Sequence, residues 1–193
     1  MSDQTNIKKG QPLKESPGTY DIPERYEMIE GIRYDFSPSP KYVHQVILGN
    51  LYIAVRTSCY ANGRVILAPM DVHFDKGDNV VQPDLIFIAN ENLHIIRDGY
   101  VFGVPDLLVE ILSPSTGTKD KTVKKAMFAR FGVKEYWIVD PIYFTVDQFR
   151  LINGGYQLIA TYGDDDAIVS SPQFVCMAIA FQDIFALVDR PQD

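Results

Sequence analysis

The chain is poor in the residues that build soft-metal and redox centres, with two cysteines and three histidines among 193 residues. Cys59 and Cys176 stand far apart in no metal-type spacing, and His44, His73 and His94 are as scattered, so a zinc site is not expected. A reducing cytoplasm is the default setting for such a chain. No apolar run approaches the ~18–20 residues of a membrane span. The polar opening MSDQTNIKKGQPLKESPG has no apolar centre of the kind a secretory signal requires. Residues 1–20 therefore read as a flexible arm and 21–193 as a single domain. Positive charge is in deficit. A net charge of −7 argues against a general nucleic-acid coat protein, whose affinity comes mostly from neutralising phosphates. A local basic patch remains available, because Lys119, Lys121, Lys124, Lys125, Arg130 and Lys134 fall close together.

That patch belongs to the stretch Val104–Pro141, around which the rest of the chain is organised. Leu107–Leu112 reads as a strand, with Asp106, Leu108, Glu110 and Leu112 on one face and Leu107, Val109 and Ile111 on the other. Both faces are largely apolar, as in a central strand covered on both sides. Glu110 lies inside it, and a buried carboxylate needs a cation. The spacing predicts a helix from about Thr118 to Phe131, stopped by Gly132. Val123, Ala126, Met127 and Phe131 form its apolar stripe, with Lys124 and Asp120 on the inner side and Lys125 opposite. Tyr136–Val139 follows as another strand.

Upstream, Tyr26–Gly31 reads as a short strand and turn. Ser37-Pro38-Ser39-Pro40 is a helix-entry signature, followed by Val43, Ile47, Leu51, Ala54 and Val55 at helical spacing. Arg64–Pro69 and Val80–Ile88 read as strands, the second bent at Pro83 with Asp84 at the bend. Asp71–Asn79 and Asn90–Phe102 read as polar, turn-like connections. Downstream, Thr145–Arg150 and Tyr156–Thr161 alternate around Asn153-Gly154-Gly155, a hairpin signal. Val175–Phe185 is apolar and fits helix or strand.

Asp84, Glu110 and Lys124 stand out as a group with chemistry to offer. Two carboxylates from neighbouring strands make a hard oxygen site suited to Mg²⁺ or Mn²⁺, with an ion that acidifies water and offsets charge on a transferring phosphoryl group. The rival reading is a structural Glu110–Lys124 ion pair with no metal. The other lysines of the cluster would then be a solvated helix face, and Glu27 and Glu30 exposed edge charges.

Gln82-Pro83-Asp84-Leu85, the run Pro105–Thr116 (PDLLVEILSPST), Asp120, Lys124, Gly132-Val133 and Glu135–Pro141 (EYWIVDP) resemble the Uma-type family of putative restriction endonucleases, within the PD-(D/E)XK nuclease superfamily. The resemblance runs from about Tyr26 to Tyr156. It implies an α/β (α+β) protein with a restriction-endonuclease-like core, a mixed central sheet flanked by helices, and here an added C-terminal β-hairpin. It implies a metal-dependent endonuclease acting on DNA, with Asp84, Glu110 and the Ile111 carbonyl as metal ligands. Lys124 would be the catalytic lysine and Glu27 a further acidic member. Leu112 occupies the place of the superfamily's usual lysine, and Lys124 is the helix position to which that function has moved. Glu30 and His44 also match family positions, without an assigned role. A nuclease-fold binding module without turnover is the alternative, favoured by Leu112 and by the acidic net charge. A homodimer fits cutting of both strands.

Overall fold

The computed structural model describes residues 25–36, 40–114 and 116–190. The expected arm, and Ser37, Pro38 and Ser39 of the helix-entry signature, lie outside them. The elements in chain order are β1 (Tyr26–Ile29), β2 (Ile32–Asp35), α1 (Tyr42–Ser58), β3 (Gly63–Leu67), β4 (Val72–His73), β5 (Val80–Val81) and β6 (Leu85–Ala89). A 3-10 helix at Asn90–Ile95 leads to β7 (Ile96–Arg97), β8 (Tyr100–Phe102) and β9 (Leu107–Ile111). One continuous helical segment then combines α2 (Gly117–Lys119), a π-helical turn (Asp120–Lys124) and α3 (Lys125–Phe131). Last come β10 (Glu135–Asp140), β11 (Thr145–Ile152), β12 (Gly155–Tyr162), β13 (Ile168–Ser170), β14 (Ala178–Ala180) and α4 (Phe181–Ile184).

The central sheet has the order β12-β11-β10-β9-β6-β3 and is mixed: β9 and β10 run parallel, and the other neighbours run antiparallel. The expected hairpin is β11–β12, turned by Asn153 and Gly154, both at positive φ. Strand β9 is buried on both sides. Leu107, Val109 and Ile111 pack with Ile47, Leu51 and Val55 of α1, while Leu108 and Leu112 pack with Met127 and Phe128 of α3. Each fully buried aliphatic chain of this kind contributes about 1.5–3 kcal/mol. Val175–Phe185 resolves into both alternatives, a strand β14 followed directly by the short α4.

A second six-stranded sheet, ordered β2-β1-β5-β4-β8-β7, was not expected. The stretch Val80–Ile88 is two strands rather than one bent strand: β5 belongs to this outer sheet and β6 to the central one. Pro83 has no N–H to give to a ladder, so the chain leaves one sheet there and enters the other. The turn-like connections hold the short strands β4, β7 and β8. The inner face of the outer sheet, including Ile29, Val72, Val81 and Val101, joins Phe128, Ile86 and Ile138 in one core between the two sheets.

A disulfide joins Cys59, at the end of α1, to Cys176 in the C-terminal segment. The two cysteines that stand far apart in sequence are neighbours across the core. Among the described residues no helix is long and apolar enough to cross a membrane.

Candidate active site

Three pieces of backbone meet between the sheets. Strand alternation turns Glu27 of β1 inward, beside Ile29, and both are fully buried. The same rule puts Glu110 on the inner face of β9. The helical segment lies over them and supplies the cations.

Lys124 is 3% exposed and its ammonium group bridges the two acids, with Nζ 2.7 Å from Glu110 Oε1 and 2.7 Å from Glu27 Oε1. Asp120, one turn earlier, has Oδ1 3.7 Å from the same nitrogen. Lys119 Nζ donates to Glu27 Oε2 at 2.5 Å, and the Gln82 backbone amide donates to Glu27 Oε1 at 3.1 Å. The role of Lys119 is a correction to the sequence reading, which left it on a solvated face. In a regular α-helix, residues five apart lie on different faces, but the wider π turn brings Lys119 and Lys124 to one carboxylate. The π turn also shifts the apolar stripe. Met127 is buried as expected, but Phe128 is buried and Ala126 exposed, contrary to the α-helical expectation.

Asp84 sits at the crossing between β5 and β6, next to this cluster. Its Oδ2 accepts the Ile111 backbone N–H at 2.7 Å and lies 3.1 Å from His44 Nε2 of α1. Asp84 thus meets Ile111 through its amide. Asp84 is coupled to Glu110 through space as well as through this strand, because its charge raises the Glu110 carboxyl. Glu30 is elsewhere: it occupies the β1–β2 turn at positive φ and pairs with Arg130 at 2.7 Å in solvent.

The electrostatics follow from crowding acids in a space shielded from water. Burial pushes the Glu110 carboxyl well above the ordinary range; Lys124 opposes this, while Asp120, Asp84 and Glu27 reinforce it. Burial likewise raises Asp120, offset by Lys124 and Thr116. Glu27 goes the other way. Burial would raise it, but Lys124 and Lys119 together hold it below the usual value. For Lys124, burial favours the neutral amine, yet Glu110, Glu27 and Asp120 outweigh it and hold the charge well above the ordinary range. Burial also works against a charge on His44, and the hydrogen bond and charge of Asp84 more than reverse that.

Among the described residues no three His, Cys, Asp or Glu side chains form a ready metal cage. Mg²⁺ does not need one, since it is commonly held by one or two carboxylates and keeps several waters. Asp84 and Glu110 would supply that hard oxygen chemistry. Two buried atoms nearby, Asp120 Oδ1 and His44 Nδ1, have no hydrogen-bond partner, as in a site that takes up a further polar group. The donor set fits a divalent ion.

The fold has a solved counterpart in the crystal structure described as a putative nuclease belonging to DUF820 from Anabaena variabilis. It matches with a TM-score of 0.70 and 23% identity over 86% of this chain and 93% of that one. The type IIG restriction endonuclease BpuSI matches with a TM-score of 0.37 and 14% identity, over 61% of this chain and 13% of that one. No curated protein matches the chain. Residues 19–181 match the model of a family described as putative restriction endonucleases, a span that takes in both sheets and the acid–lysine cluster, and the chain belongs to that family, Uma2.

Proposed function

We propose that the protein is a metal-dependent endonuclease that hydrolyses phosphodiester bonds in DNA. The observation that supports this most is the Lys124 ammonium held between Glu110 and Glu27, with Asp84 fixed one residue further along the same strand by the Ile111 amide. Asp84 and Glu110 would hold Mg²⁺ or Mn²⁺, which when bound lowers the pKa of water and offsets charge on the phosphoryl oxygens.

The residues of this chain do the rest. Both donors to Asp84 engage Oδ2, so the His44 ring and the Ile111 amide fix the carboxylate's rotation. Lys124 presents a permanent positive charge where negative charge grows as water attacks phosphorus and the bond to the leaving oxygen breaks. Glu27 reaches the group from the outer sheet. It gathers Lys119, Lys124 and the Gln82 amide, and so acts as the positioning acid of the group. A symmetric pair of chains would fit cutting of both strands of a duplex.

A second reading has its own observation. Lys124 is engaged by carboxylates and almost wholly buried, as in a structural ion pair of a nuclease-fold binding module. Nicking of supercoiled plasmid separates the two. The nuclease converts it to open circles with Mg²⁺ or Mn²⁺ and not with EDTA, and Asp84→Asn and Glu110→Gln abolish conversion. Intact plasmid with every metal, from folded protein, supports the binding module.

A further inference from the structure

The outer sheet has a face that the acid site does not use. Alternation sends Glu27, Ile29, Val72, Val81 and Val101 inward, and sends their neighbours out. The outward residues lie in register across four strands: Met28 opposite Val80, Val80 opposite His73, and His73 beside Phe102. They floor a groove of about 920 Å³ whose walls include Tyr26, Arg25, Lys76 and Arg97.

Half of the floor is aromatic, and the lining has three cations, Arg25, Lys76 and Arg97, against two acids. The His73 and Phe102 rings stack at 4.7 Å with 18° between their planes, and the Arg97 guanidinium lies 5.0 Å from the Phe102 ring centre. Both acids of the groove accept hydrogen bonds from neighbouring amides. Asp75 accepts the amides of Gly77 and Asn79 and the Asn79 side chain, and Asp71 accepts the Gln82 side-chain amide. Lys76 and Arg97 remain exposed to solvent. Gln82 connects the groove to the acid site. Its side chain lines the groove, its backbone amide holds Glu27, and Asp84 is two residues on.

We propose that this groove binds an unpaired, extended nucleic-acid strand, the nucleotides flanking the phosphate presented to the acid site. This rests on the nuclease reading above. With Arg97 over the Phe102 end of the Phe102–His73 stack, an unstacked base adds at the His73 end, and phosphates meet Arg97 and Lys76. In a duplex the faces of the bases are covered by their neighbours, so a ring platform of this kind serves only unstacked bases. A polypeptide adding to a sheet would instead use the free N–H and C=O groups of an edge strand, and this is a face.

The test is fluorescence anisotropy of a short labelled oligonucleotide, single-stranded or as the matching duplex, in EDTA so that nothing is cut. Phe102→Ala and the double variant K76E/R97E are compared with the wild type, with thermal melts to show that each is folded. The single strand is expected to bind more tightly than the duplex. Phe102→Ala weakens it by about fivefold or more, and K76E/R97E weakens it and flattens its salt dependence. Folded variants that bind the strand as the wild type does overturn the proposal, as does a duplex bound as tightly as the strand. So does self-association of the chain that R97E disperses, since the face would then be an interface between copies. Strand binding without metal-dependent nicking keeps the groove and removes the nuclease reading. Nicking with no effect of the groove variants on binding does the reverse.

Discussion

Lys124 is the residue on which the buried charges depend. It faces Glu110, Glu27 and Asp120 at once, and removing one partner of a buried ion cluster leaves the others uncompensated. Lys124→Met should cost about 3–5 kcal/mol at neutral pH in metal-free buffer, measured by urea denaturation. The loss should shrink as pH falls. Glu110 and Asp120 have carboxyls raised by burial, so the folded variant takes up protons there more readily than the unfolded chain, and protonation removes the repulsion. A loss that stays constant or grows toward acid would mean that those two carboxylates do not face Lys124. Glu110 and Lys124 were legible from the sequence because strand alternation and helical phase are simple periodic rules. Lys119 was not, because its placement depends on a π turn that no residue pattern in Asp120–Lys124 announces.

At the scale of the element, β10 shows how a strand is tied to the C-terminal segment. Glu135 is fully buried; its Oε1 accepts from Trp137 and Gln148, and its Oε2 accepts from the Ser171 hydroxyl. Burial raises this carboxyl, and the hydrogen bonds from Ser171, Trp137 and Gln148 only partly offset it. A carboxyl raised in the folded state favours folding below its unfolded pKa and loses that contribution as pH rises through the folded value. Glu135→Gln should therefore flatten the decline of stability with rising pH over that window. It should add a nearly pH-independent cost of about 1 kcal/mol, because Ser171 Oγ already accepts the Gln173 and Phe174 amides. Urea denaturation across the window gives both numbers, and an unchanged slope would contradict the assignment. Most helices and strands of five residues or more lie close to their expected bounds, but β6 was joined to β5 in one expected strand, and the 3-10 helix Asn90–Ile95 lies in a stretch expected to be turn-like. The outer sheet was missed because β4, β5 and β7 have two residues each, too few to display a period of two.

Across the whole molecule, the site depends on a crossing between sheets. Pro83 separates β5 from β6, Asp84 is left at the junction, and the outer sheet presents Glu27 while the central sheet presents Glu110. The Pro83-Asp84 pair was visible in the sequence as a bend, but its partner His44, 40 residues away, came from packing that no local pattern encodes. The Cys59–Cys176 pairing was hidden for the same reason, its members being 117 positions apart. What the assembled parts have to achieve is a pocket that takes a divalent ion. The most direct measurement is calorimetric titration of Mn²⁺ into metal-free wild type, Asp84→Asn and Glu110→Gln, each shown to be folded by its thermal melt. The expected result is saturable binding to the wild type that weakens by about tenfold or more in each variant. Equal binding by all three proteins, or none by any of them, would contradict the assignment of Asp84 and Glu110 to a metal.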